Sequence, residues 1–297
     1  MHRGWFPVAG SVLPFAAMPL PAELIDSHHH LWRRAEAPFT GILGTPYLNR
    51  DFSFPDLEHA ADGLPLGGTV FVQVRSDLEE VDYVESVARD HPALRAMIAF
   101  APLEDPAVGA WLDRLGERPL VRGVRRNTQW EADPAFVLQP SFVAGGRLLG
   151  ERGLLCELCV KHEQLAAVPP FARECPETRI VLEHLGKPDV TGAPPAAWLR
   201  EIEELAGLPN VVCKVSVVVH GADDPPLRTD VIAPFVRHAV ECFGWDGVLF
   251  GSNWPVSTAV VGYRAWAETV AEILPGAAPG QLADLFAGNA RRLYRLS

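Results

Sequence analysis

The sequence predicts an α/β domain, a single (β/α)8 barrel of the TIM type, distorted, with long βα loops after strands 1 and 7. Three observations point there. Eight short apolar or β-branched runs alternate with segments of helical spacing. The runs are apolar almost throughout, as parallel strands covered on both faces must be. The chain has 297 residues, 48% of them hydrophobic, enough for one large core. A doubly wound open sheet competes, but no G-x-G-x-x-G follows the first run and no G-x-x-x-x-G-K-[ST] occurs.

Met1 to Pro21 begins with His2 and Arg3 and is then largely apolar, loosely like a secretory signal. Pro7, Pro14, Pro19 and Pro21 break the run, and no small-residue cleavage site follows. Residues 1–20 are therefore expected to be a poorly ordered tail, 21–297 the barrel domain, and Met18 an alternative start. The strand-like runs are Leu24–Ile25, Thr69–Val74, Leu94–Ala101, Val121–Val124, Leu154–Val160, Arg179–Leu182, Val211–Val217 and Gly247–Phe250. Between them, Asp77–His91 sets Leu78, Val81, Val84, Val87 and Ala88 on one face, with acids in its first turn. Asp105–Leu115, Glu163–Glu174, Pro195–Ala206 and Asp230–Phe243 read the same way. Pro275 and Gly276 stop one helix, and Leu282–Tyr294 forms a last one. The Pro/Gly-rich stretches 35–47 and 219–229 fall after strands 1 and 7, on the face where barrels carry their chemistry.

A net charge of −11 with no Lys/Arg cluster argues against nucleic-acid binding. No run of 18 apolar residues exists, which excludes a spanning helix. Cys156, Cys159, Cys175, Cys213 and Cys242 are odd in number and lie in apolar surroundings, so they read as reduced, buried thiols of a cytoplasmic protein. Oligomeric state is not legible.

Polar residues at strand ends are the candidates for chemistry. Strand 1 ends Asp26-Ser27-His28-His29-His30, and alternation turns His28 and His30 to one side and His29 to the other. Two imidazoles on one side bind a metal or form a polar pair. Strand 4 ends Arg122-Gly123-Val124-Arg125-Arg126; Arg125 and Arg126 are candidates to clamp substrate oxygens, with rim salt bridges as the alternative. Gly123 marks a close approach of a neighbouring chain or a ligand. Glu157 sits inside apolar strand 5, where an acid must pair, bind metal or stay protonated. In strand 6 Glu183 and His184 alternate, so a regular strand presents only one to the mouth, and the parity His184 shares with Ile180 and Leu182 favours the histidine. Strand 7 carries Lys214 and Ser216 on one side, the lysine as a partner for one of the acids. Strand 8 ends at Asn253, with Trp254 and Pro255 as an apolar wall or a turn. There is no H-E-x-x-H and no G-x-S-x-G, and Cys156 and Cys159 fall on opposite faces of their strand.

Taken in order, Ile25-Asp26-Ser27-His28-His29-His30-Leu31-Trp32, Arg50-Asp51-Phe52, Val121-Arg122-Gly123-Val124-Arg125, Glu183-His184-Leu185-Gly186-Lys187-Pro188, Cys213-Lys214-Val215-Ser216, Phe250-Gly251-Ser252-Asn253-Trp254-Pro255 and Gly288-Asn289-Ala290-Arg291-Arg292-Leu293-Tyr294 resemble the second large branch of the amidohydrolase superfamily, the amidohydrolase-related family. That branch includes lactonases acting on sugar-acid lactones and on lactones from aromatic degradation. The resemblance implies a hydrolase on a distorted barrel. It makes His28 and His30 the H-x-H pair, His184 the histidine after strand 6, and Arg125 a substrate-binding arginine. Glu183 stands where aspartate is commoner, and Asn253 where many members carry the aspartate that activates water.

The implied activity is the opening of a sugar-acid or dicarboxylate lactone by an activated water. The catalytic candidates are His28, His30, His184 and Asn253, and the substrate-binding candidates Arg125, Arg126 and Trp254. One divalent ion, zinc or manganese, would fall to His28, His30 and His184 with Glu157 as an added ligand; other members of the branch work without metal. The competing readings are a metal-dependent decarboxylase of an unsaturated acid and a non-catalytic barrel that keeps the pocket, the latter resting on Asn253. In each, the partner is a small carboxylate or lactone.

Overall fold

The computed structural model describes residues 20–35, 46–221 and 224–296. The expected tail therefore lies, apart from Leu20, outside the described residues, as do residues 36–45 of the 35–47 stretch. Eight parallel strands run in sequential order: β1 (Leu24–His29), β2 (Leu66–Val72), β3 (Leu94–Ala99), β4 (Val121–Arg125), β5 (Leu155–Leu158), β6 (Ile180–Leu182), β7 (Val211–Ser216) and β8 (Val248–Gly251). The ring closes at its C-terminal rim, where Asn253 N–H donates to His28 O (2.8 Å) and His30 N–H to Trp254 O (2.8 Å). This is the expected (β/α)8 barrel. Its irregularity lies in register shifts along the β1–β2, β2–β3 and β3–β4 pairings.

Alternation sorts the strand residues into two cores. Ile25, Val70, Val72, Ile98, Val181 and Leu249 belong to the inner one, while Leu24, Phe71, Met97, Ile180, Leu182 and Phe250 pack outward under the helices. Ala290, Tyr294 and Leu296 join the inner cluster, so the C-terminal segment plugs the barrel floor. At strand 4 the Gly123 approach is to the neighbouring chain: a Cβ there would lie 2.6 Å from Leu155 O.

The outer layer holds α1 (Phe54–Ala60), α2 (Glu79–Asp90), α3 (Val108–Gly116), α4 (Pro140–Glu151), α5 (Val168–Glu174), α6 (Ala196–Ala206), α7 (Thr229–Phe243) and α8 (Tyr263–Ile273). Helices α1 and α4 were not apparent in the sequence. The first is only two turns long, started by a Ser53–Asp56 capping box. In α4, Gly145 and Gly146 dilute the apolar period. The segment Glu163–Glu174 divides into a 3-10 turn, His162–Ala167, and α5, because Pro169 and Pro170 fit only the first turn of a helix. The last helix is likewise three pieces: α9 (Pro279–Ala283), a π-turn (Asp284–Gly288) and α10 (Asn289–Leu293). No helix among the described residues is long and apolar enough to cross a membrane, and all five thiols are unpaired.

Gly145 is where α4 touches the loop after β3: a Cβ would come 2.1 Å from Leu103 O. Gly145→Ala should destabilise the protein by about 1–3 kcal/mol in urea denaturation, although alanine is the better helix former. Gly116→Ala, with nothing within 4 Å of the new methyl, should be neutral or stabilising by up to about 1 kcal/mol.

Candidate active site

The site is built first by an irregularity in β1. Asp26 pairs with Thr69 and His29 with Phe71, so three steps on β1 face two on β2. The extra residue lets Ile25 and His28, three apart, both point inward. His28 Nε2 and His30 Nε2 then stand 3.2 Å apart, as the H-x-H spacing predicts. His30 Nδ1 donates to Val72 O at 2.8 Å, which leaves its Nε2 lone pair facing His28. Gly251 makes room for this, since a Cβ there would meet His28 Cβ at 2.9 Å. Beneath, Asp26 knots β1 to β8 and α8. Its carboxylate accepts from Ser252 N–H (2.8 Å), Ser252 Oγ (2.6 Å) and Tyr263 OH (3.0 Å).

Strand 6 departs from the regular pattern, which corrects the parity argument. Ile180 and Leu182 face outward, so Val181 and Glu183 share the inward parity. His184 nonetheless joins them. The strand stops at Leu182, and His184 (φ 51°), Leu185 (φ 57°), Gly186 (φ 71°) and Lys187 (φ 47°) all adopt left-handed conformations. The chain therefore turns over its own end and brings both Glu183 and His184 to the mouth. The His28 and His184 rings are 4.5 Å apart between centroids. Ser216 Oγ, on the inner face of β7, holds His184 Nδ1 at 2.8 Å.

Arg125 ends β4 inside the barrel. Its guanidinium donates to Glu183 Oε2 at 2.9 Å and to Gln73 O, while Nε is buried with no partner among the described residues. Arg126 points away, its guanidinium held by Glu104 (2.8 Å) and Glu131 (2.6 Å) over the Phe136 ring. Trp254 is buried edge-on against Phe52 at 5.4 Å. Asn253 adopts φ 56°, a conformation asparagine tolerates better than most residues, and donates through Nδ2 to Val217 O at 3.0 Å. Glu157 has both oxygens engaged, by Lys214 Nζ (2.5 Å) and Tyr294 OH (2.6 Å). Among the described residues, the three groups whose donor atoms lie within 4.8 Å of one another are His28, Glu183 and His184, a set that takes in Glu183 and leaves out the expected His30 and Glu157. Gln73 and Lys187 were missed. Gln73 could have been noticed as the polar residue at the end of strand 2. Lys187 is buried because its left-handed turn carries Nζ to Gln129 Oε1 at 2.6 Å, which spacing does not reveal.

Burial governs the charge states. It drives His28 and His184 well below the ordinary imidazole range, with Lys214 adding to the effect on His28, and brings His30 down to about 3. The histidines are therefore neutral and able to act as ligands or proton acceptors. Burial opposes the charge of Glu183, but Arg125, with Lys214 adding to it, outweighs burial and holds this carboxyl below the usual carboxylate range. Two neutral imidazoles and one carboxylate suit zinc or manganese, and Glu183 Oε1 is buried with no hydrogen-bond partner among the described residues. The donors present thus fit a divalent cation.

A parallel barrel whose C-terminal mouth gathers these groups is the architecture of a (β/α)8 hydrolase. Residues 25–296 match the amidohydrolase family model, and the chain belongs to the amidohydrolase family. It is 33% identical over 292 residues to an L-fucono-1,5-lactonase of Burkholderia multivorans, with 92% of this chain and 96% of that one covered. It is 30% identical over 281 residues to the L-fucono-1,5-lactonase of Burkholderia ambifaria, with 92% and 95% covered. The crystal structure of a Burkholderia multivorans amidohydrolase with bound zinc superposes with a TM-score of 0.83 at 30% identity, covering 92% of this chain and 99% of that one. The protein is a lactonase-like hydrolase.

Removing the Arg125 side chain leaves Glu183 charged, buried and short of its nearest cation. Arg125→Ala should lower unfolding free energy by about 3–5 kcal/mol in chemical denaturation, far more than an exposed ion pair would cost. A second expectation concerns His29, which faces outward between Phe54 and Phe71 with neither ring nitrogen partnered among the described residues. Burial, with a smaller push from His30, brings it down to about 3 from the ordinary 6.5. Between those values the unfolded chain binds the extra proton, so this contribution to stability is complete above about pH 6.5 and lost as pH falls toward about 3. Thermal melts from pH 7.5 to 5 should show the wild type losing more stability than His29→Leu.

Proposed function

We infer that the protein opens a sugar-acid lactone by adding water across its carbonyl, with a fucono-1,5-lactone type of aldonolactone as the first substrate to try. The observation that carries this reading is the convergence of His28, His30, Glu183, His184 and Arg125 at one mouth of the barrel, in a chain 30–33% identical to L-fucono-1,5-lactonases over 92% of its length. His28, Glu183 and His184, with His30 alongside, are the residues that would hold a zinc or manganese ion. Such an ion polarises a carbonyl and lowers the pKa of water to about 7.

The chain's own groups account for the rest. Arg125, braced by Glu183 and Gln73, offers its unpartnered Nε–H to a lactone oxygen, and its rigid fork orients the ring. Arg126 and Trp254, each held by its own neighbours, shape the rim and wall. Asn253 spends Nδ2 on Val217 O, so its Oδ1 is the atom that orients a water. An amide does not serve as a base near neutral pH. Glu157 is committed to Lys214 and Tyr294, which leaves a neutral imidazole to take the proton. His30 suits this, because its Nδ1 proton is committed to Val72 O, so that its lone pair lies on Nε2, which takes the water proton in place of the link to His28 Nε2. Water oxygen bonds to the carbonyl carbon, the bond from that carbon to the ring oxygen breaks, and His30 returns the proton to the departing oxygen. The product is an open-chain hydroxy acid.

The test is a panel of aldonolactones incubated with pure protein, with acid release followed by a pH indicator. Release is expected for at least one six-carbon lactone, lost on chelation and restored by zinc or manganese. Rates at the buffer background for the whole panel, with either metal present, would refute hydrolysis and favour a barrel that only binds.

A further inference from the structure

Glu157, Lys214 and Tyr294 take no part in the reaction described above, yet all three are fully buried inside the barrel and hydrogen-bonded into the site. We propose that they form a positioning chain that runs from the barrel floor to His28 and fixes the orientation of its ring.

The chain begins at the C-terminal plug. Arg122 Nε donates to Tyr294 O at 2.8 Å, anchoring α10 beneath β4. Tyr294 OH donates to Glu157 Oε1 at 2.6 Å, and Lys214 Nζ to Glu157 Oε2 at 2.5 Å. The same ammonium lies 3.4 Å from His28 Nδ1. An ammonium has no lone pair, so this contact bonds only when Nδ1 carries one. In the metal-free protein the ring proton of neutral His28 then sits on Nε2, 3.2 Å from His30 Nε2, while the proton of His30 goes to Val72 O. Donors therefore run one way, from Lys214 through His28 and His30 to Val72. A flip of the His28 ring would break both of its links. Of the other neighbours, His184 meets the ring as a tilted pair with centroids 4.5 Å apart, and Glu183 Oε1, 3.6 Å from Nδ1, lies beyond hydrogen-bond distance. A misplaced ring is costly, since an error of about 1 Å in a reacting group can cost about 100-fold in rate.

Tyr294→Phe keeps the ring in the floor and removes only the hydroxyl. It should lower kcat about 10-fold with KM held within about twofold, as loss of a supporting hydrogen bond does. In metal-free protein labelled with 15N-histidine, wild-type His28 should show an unprotonated Nδ1 and a protonated Nε2, and Tyr294→Phe should shift that pattern toward a mixture of tautomers. Because Lys214→Met alone strands a buried carboxylate, the paired variant Glu157→Gln with Lys214→Met carries the stronger test and should lose about 100-fold in kcat. Wild-type kcat and unchanged His28 signals in Tyr294→Phe would overturn the proposal, as would a protonated Nδ1 in the wild type. The kcat arm rests on the lactone hydrolysis inferred above and the ring signals do not, so failure of that reaction leaves the positioning chain decided by the signals alone.

Discussion

Two carboxylates sealed inside one barrel set the terms for everything around them. Glu157 and Glu183 have no access to water, and an unpaired charge so placed costs several kcal/mol. Lys214 and Arg125 answer them from strands two places away in the ring, at 2.5 and 2.9 Å. Burial keeps the histidines nearby neutral, and the two pairings leave neither acid without a partner. That neutrality is what lets the imidazoles offer lone pairs to a cation or to water. The ion pairs thus do little for stability that an apolar core would not; their effect is to hold a polar, preorganised pocket open at the end of an apolar cylinder.

The backbone carries part of the same cost. Left-handed residues other than glycine cost about 1–3 kcal/mol each, and three of them follow β6, with Asn253 a fourth after β8. They persist because their surroundings over-determine them. Leu185 O accepts from Trp198 Nε1 at 2.8 Å, and Leu165 packs where a Cβ on Gly186 would intrude. Asn253 N–H closes the barrel onto His28 O. The same turns deliver His184 and Asn253 to the mouth, so local strain and site geometry have one cause.

The C-terminal plug extends this logic downward. Floor and mouth of a (β/α)8 barrel are usually separated by layers of aliphatic side chains. Here Tyr294, Glu157 and Lys214 replace part of that filling with a polar column that begins on the last helix and ends on the first strand. Residues far apart in the chain therefore bear on one imidazole.

Much was legible from the order of residues alone. Apolar runs alternating with helical spacing are a local property, and they determined eight strands, their parallel arrangement and the loops in which to look for chemistry. The spacing of His28 and His30 and the position of Arg125 at the end of strand 4 were visible because a strand has period two and barrels keep their sites at one end. Only the tertiary structure decided which way strand 6 faces, since Ile180 and Val181 are equally apolar and differ only in the core they enter. Only it brought Glu183 and His184 together, through left-handed torsions that no periodicity encodes. Whether Glu157 is free to act or bound to Lys214 and Tyr294, and whether Arg126 faces substrate or two acids, likewise depended on contacts between residues remote in sequence, which form only once the cylinder closes.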